Sequence, residues 1–114
     1  LRTQFAILTA YNPRSMLLPR RVNDGRHQVM RDLLILGCYR VEQCIGYDEE
    51  PDGVWREPAW LVHGIDRDEC VYFGRTFRQN TVVFCHEGRP ELIVTDPTCD
   101  EVGRTFTGNW RVRH

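Results

Sequence analysis

The chain has 114 residues, of which 41% are hydrophobic and 27% charged, and its net charge is −1. That length fits one domain, and the apolar share is too high for a disordered chain. A near-neutral charge gives no bulk attraction to nucleic acid, and no apolar run approaches the 18 residues of a membrane-spanning helix.

The charge is unevenly placed. Residues 1–41 carry seven Arg against two Asp, a local charge of +5, whereas residues 42–70 carry nine acids against two Arg, a local charge of −7. Every cation except histidine is Arg, the side chain best suited to bidentate anion contacts. The five cysteines have no CxxC spacing and are odd in number, which reads as reduced thiols in a cytosolic protein. No basic-then-apolar leader precedes the strand-like run at Phe5, and a start or short leader is expected to be missing.

In chain order, Thr3 to Ala10 is a short apolar run with β-branched and aromatic residues and reads as a first strand. Tyr11-Asn12-Pro13 ends it, and a basic loop from Arg14 to Arg21 follows. Asn23 is the expected N-cap of a first helix, with Val29, Met30, Leu33, Leu34 and Leu36 at helical spacing. Gly37 is expected to close it. Alternation from Tyr39 gives a second strand ending at Gly46, then an acidic, turn-rich loop over 47–54.

Ala59 to Ile65 reads as a third strand. Asp66 with Glu69 three residues later is a capping-box-like start for a second helix. Thr81 to Cys85 and Glu91 to Thr95 form a hairpin about Glu87-Gly88. Residues 1–96 are expected to form the domain, and 97–114 an extension that is either an edge strand or a tail.

This order predicts an α+β fold: a ferredoxin-like β-α-β-β-α-β two-layer sandwich with an extra C-terminal hairpin strand. Four segments also resemble a known family. They are Phe5 to Pro13, the helix after Asn23, Trp55-Arg56-Glu57-Pro58-Ala59-Trp60-Leu61-Val62, and Phe77-Arg78-Gln79-Asn80-Thr81-Val82-Val83-Phe84. Together they resemble the bacterial domain-of-unknown-function family 3293 over about residues 5–95. The resemblance implies a fold and no reaction. Ala59 stands where a Ser is expected after Glu-Pro, which removes a possible hydroxyl.

The expected topology brings Asn12, Asn23, Glu57, Gln79 and Asn80 to one end of the sheet. Amides donate and accept, and Glu57 can accept or act as a base. Arg14, Arg20, Arg21 and Arg26 adjoin this end and could clamp a phosphate or carboxylate, while Tyr11 and Trp55 could stack on a planar group. The expected ligand-binding set is therefore Asn12, Asn23, Trp55, Glu57, Gln79, Asn80, Arg20 and Arg21, for a small anionic ligand or nucleotide. Singly, such residues more often cap helices and tie down loops.

The alternative is a protein-interaction module, with a homodimer as one form of it, resting on the charge split. Nucleic-acid binding through Arg14 to Arg31 ranks third. His63 and Glu57 share a strand face about 20 Å apart, too far to cooperate. Cys85-His86 are neighbours on a strand and face opposite sides, which does not suit a nucleophilic pair. No metal-ligand spacing, P-loop, GxGxxG or GxSxG is present, so no cofactor or metal is expected, and the sequence leaves open whether any reaction is catalysed and by which residue.

Overall fold

A computed structural model describes residues 3–50, 53–98, 105–106 and 111–113, with side chains for 3–46 and 56–98. The chain runs β1 (Gln4–Leu8), a 3₁₀ turn (Pro13–Ser15), α1 (Arg20–Leu36), β2 (Arg40–Glu50), β3 (Gly53–His63), α2 (Arg67–Thr76), β4 (Thr81–His86), β5 (Arg89–Val94), β6 (Thr105–Phe106) and β7 (Arg111–Arg113). The sheet order is β6-β5-β4-β1-β3-β2-β7, and every pairing is antiparallel. The central β4-β1-β3-β2 order, with both helices on one face, is an α+β arrangement of ferredoxin-like order, extended by further strands.

Register explains the core. Ala6 pairs with Val62 and Phe84, and Leu8 with Trp60, so these side chains share the face that α1 and α2 cover. Met30 and Leu34 from α1 and Cys70 and Phe73 from α2 complete that cluster. Gly74 is required here, because a Cβ would lie 2.5 Å from Val82 Cγ1.

The other face carries no helix among the described residues, yet Cys44, Ala59 and Leu61 are buried on it, with Phe5 and Ile7 against them. Chain reach supplies a reason. From Phe106 on one outer strand to Arg111 on the other there are five peptide steps, which span at most about 18 Å. Six flat strand spacings would separate those edges by about 29 Å. The outer strands therefore lie closer together than in a flat sheet. Ala59 belongs to this buried cluster, so a serine at this position would have placed its hydroxyl among apolar side chains.

Three expectations change. The first helix starts at Arg20, not after Asn23: the Asn23 amide already donates to the Pro19 carbonyl, so Asn23 sits in the first turn and caps nothing. Pro19, which lacks an N–H, fits the position before a helix, where that donor would be orphaned. Arg20 and Arg21 are accordingly helical rather than part of a loop. At the other end Gly37 has an ordinary negative φ of −77°, and Cys38 takes the left-handed conformation at φ 66°.

The third concerns the acidic segment, where residues 47–50 and 53–54 are strand. The β2–β3 ladder runs from Arg40↔His63 to Glu50↔Gly53, because an established antiparallel pair propagates through polar residues. The second helix ends at Thr76, and Arg78, at φ 57°, turns the chain towards β4. By contrast, Asp66 caps α2 as expected, its carboxylate accepting from the Glu69 amide at 2.8 Å.

Candidate functional site at one end of the sheet

β1 lies between β3 and β4, antiparallel to both, so its C-terminal end meets the entries to both neighbours. Two backbone segments come together there. The Arg14 amide donates to the Arg78 carbonyl at 2.8 Å, and the Gln79 side-chain amide donates to the Tyr11 carbonyl at 3.1 Å.

Asn12 and Asn23 form a closed knot at this junction. The Asn23 Nδ2 group donates to Asn12 Oδ1 at 2.8 Å and to the Leu18 carbonyl at 3.2 Å. Asn23 Oδ1 accepts from the Asn12 backbone amide at 2.9 Å, and Asn12 Oδ1 also accepts from the Leu18 amide at 3.0 Å. Both residues are buried. The knot fixes the loop that carries Asn12, Arg14 and Ser15, all at positive φ. Asn tolerates that conformation better than Arg or Ser does.

Gln79 is buried too, and its carbonyl accepts from Arg14 Nη1 at 2.7 Å and from the Thr95 hydroxyl at 2.6 Å. Asn80 donates to the Ser15 hydroxyl at 2.9 Å on the outer side. Glu57 occupies the opposite, helix-free side of the sheet beside Thr9, its carboxylate 3.4 Å from the Thr9 hydroxyl. The predicted group thus separates: Asn12, Asn23 and Gln79 meet in one buried network, Asn80 borders it, and Glu57 flanks β1 from the other face. Trp55 belongs to β3, but its side chain lies outside the described residues.

The arginines also separate. Arg20 and Arg21 point to solvent on α1, Arg20 lying 3.6 Å from Asp24. Arg26, one turn further on, reaches inward. Its Nε donates to the Ala10 carbonyl at 2.7 Å and its Nη2 to the Phe77 carbonyl, with the guanidinium over the Phe77 ring at 5.7 Å. Burial first, and then the neighbouring Arg78, push Arg26 below its ordinary value. No carboxylate partners it among the described residues. Arg14 completes the rim, its Nε 3.8 Å from Asp96.

Behind this rim His27 stacks on Trp60, centroids 4.1 Å apart, and meets Tyr11 edge-on. Both ring nitrogens are buried without a hydrogen-bond partner among the described residues, an arrangement that costs about 1–3 kcal/mol per group. Burial lowers its pKa, so the imidazole is held neutral. Tyr11 donates its hydroxyl to Asp24, and burial together with that carboxylate raises its pKa to about 12. Sequence reading missed His27, Arg78 and Thr95. Arg78 precedes Gln79 in the Phe-Arg-Gln-Asn segment, which was the one available signal.

Thiol chemistry is disfavoured at three cysteines: burial raises Cys44 to about 11 and Cys70 to about 12, and also raises Cys85. Thiolate is the reactive form, so these side chains act as small apolar groups. His63 is engaged by Glu42 at 2.5 Å on the strand beside it.

Residues 8–82 match the protein family described as protein of unknown function (DUF3293). The chain belongs to this family. The matched span runs from the end of β1 to the start of β4, so it contains the Asn12–Asn23 knot, the rim arginines Arg14, Arg26 and Arg78, and Gln79. No curated protein matches the chain. Among the described residues, no helix is long and apolar enough to cross a membrane.

Proposed function

We propose that the end of the sheet around Arg26 binds a small anionic ligand or a nucleotide. Arg26 carries this reading. It is a half-buried cation pinned by two carbonyls, beside a second guanidinium, with no described carboxylate to balance it. An anion accepting hydrogen bonds from its remaining Nη1 group and from Arg78 would relieve that imbalance through charge-assisted contacts. The left-handed Arg14, Ser15 and Arg78 support the same reading, since backbone strain of this kind gathers at ligand sites. Asn12 and Gln79 hold the loops and do not themselves need to touch the ligand. A reducing, cytosolic setting belongs to this reading, supported by the free thiols of Cys38, Cys44, Cys70 and Cys85.

The test is calorimetric titration with inorganic phosphate, pyrophosphate and a nucleoside triphosphate, at low and high salt. Saturable binding that weakens with salt is expected. Arg78→Gly, which removes a charge while easing a left-handed backbone, should weaken it by about tenfold, or about 1.4 kcal/mol. Failure of all three anions to bind at millimolar concentration would count decisively against the proposal.

A further inference from the structure

Exposed apolar side chains are concentrated on one element. Seven of the nine large apolar side chains exposed among the described residues lie between Met16 and Leu36, on α1 and the segment leading into it. At 3.6 residues per turn, Val22, Gly25, Val29, Leu33 and Leu36 fall within about 80° of one another. The core-facing Asn23, His27, Met30 and Leu34 are centred about 130° away. An amphipathic helix that uses one stripe for its own core has no need of a second. Val29 is 53% and Leu36 79% exposed, so the second stripe is uncovered among the described residues.

Gly25 sharpens the point. Glycine is the least favourable residue inside a helix after proline. Among the described residues nothing requires it, because a Cβ at Gly25 would meet none of their atoms within 4 Å. A glycine in the middle of an exposed apolar stripe does have a use if a second helix approaches there, since it lets the two backbones come close.

Charge decides which helix fits. Arg21 and Asp32 lie on the same flank of the stripe, eleven residues apart. In an antiparallel pair related by a two-fold axis, same-flank residues face each other. An axis crossing α1 near position 27 sets Arg21 of one copy beside Asp32 of the other, twice. The same register sets Gly25 opposite Val29 and Val22 opposite Leu33.

We propose that the chain forms a two-fold homodimer through the exposed stripe of α1, with the two helices antiparallel and Arg21 paired to Asp32 across the interface. The self-complementary patch is the form a closed two-fold contact demands. The dimer is independent of anion binding at the sheet end, because Arg26 and Arg78 take no part in it.

Sedimentation equilibrium on the chain, followed by matched variants, tests this. A concentration-dependent dimer is expected, with Val29→Asp weakening it by at least about tenfold. Gly25→Ala should raise the melting temperature of the dilute monomer and yet weaken the dimer, opposite signs that a purely intramolecular role cannot produce. Arg21→Asp and Asp32→Arg should each weaken association, and the double exchange should restore it. All four positions are exposed, and far-ultraviolet circular dichroism checks that the fold survives. A chain that stays monomeric at millimolar concentration overturns the proposal, and so does a dimer indifferent to Val29→Asp. Single exchanges that the double variant does not rescue overturn the antiparallel pairing.

Discussion

The amide knot of Asn12 and Asn23 and the arginine rim beside it begin from the same sequence signal, polar side chains at the ends of elements. They differ in where their hydrogen-bonding capacity goes. Asn23 spends both amide hydrogens and its carbonyl on Asn12 and Leu18, within the fold. Arg26 spends two donors on carbonyls and leaves its charge without a described carboxylate. His27, between them, has both ring nitrogens without partners among the described residues. A satisfied polar group is scaffold, and an unsatisfied one is where a ligand has something to offer.

If that division is right, the largest stability loss belongs to the knot. Asn23→Ala removes three hydrogen bonds and leaves the Asn12 amide and the Leu18 carbonyl short of partners in a buried place. The expected cost is about 3 kcal/mol or more, read from urea unfolding. A loss below about 1 kcal/mol would mean that the knot is replaceable by solvent and that the contrast with the rim is false.

Much of this was legible beforehand, for identifiable reasons. The strands followed from short β-branched and aromatic runs at β1 and β4 and from alternation in β2, and Asp66 with Glu69 announced α2. Convergence of Asn12, Asn23 and Gln79 followed from antiparallel pairing about β1. What could not be read was which donors meet which acceptors. Asn23 looks like a cap because Asn caps helices, but its side chain reaches across eleven residues to Asn12, a tertiary choice that no local pattern records. The acidic segment 47–50 gives no strand signal, since its pairing is inherited from the ladder already formed at Val41. His27 gives none either, because a histidine on a helix shows its unpaired nitrogens only after Trp60 and Tyr11 have packed around it.

His27 offers a second, pH-dependent way to probe the division. Its folded pKa is depressed by burial below the ordinary 6.5, with Asp24 opposing. Above that pH both folded and unfolded chains hold it neutral. As pH falls below 6.5 the unfolded chain takes up a proton and the folded one does not, so stability drops by up to about 1.4 kcal/mol per pH unit until the folded pKa is reached. In His27→Phe this component should vanish, with the ring still stacked on Trp60, and the difference between the two pH profiles isolates it. Should anion affinity survive the same substitution, His27 belongs with the scaffold. If it falls with stability intact, the imidazole belongs with the rim.

The smallest expected effect sets the two kinds of left-handed residue against each other. Asn12 and Arg78 have φ of 47° and 57°, so glycine relieves backbone strain at both. At Arg78 only an exposed side chain is lost, while its backbone contacts to Arg75 and Arg14 remain. Relief of left-handed strain, about 1–2 kcal/mol, is offset by about 0.5–1 kcal/mol from the freer unfolded chain. Arg78→Gly should thus stabilise the protein by about 0.5 kcal/mol. Asn12→Gly gains less relief, because asparagine tolerates the conformation, and removes the acceptor for both Asn23 Nδ2 and the Leu18 amide, so it should destabilise. Paired denaturation curves would show opposite signs. Equal signs would place Arg78 inside the load carried by the fold, and its strained backbone would then say nothing about a ligand.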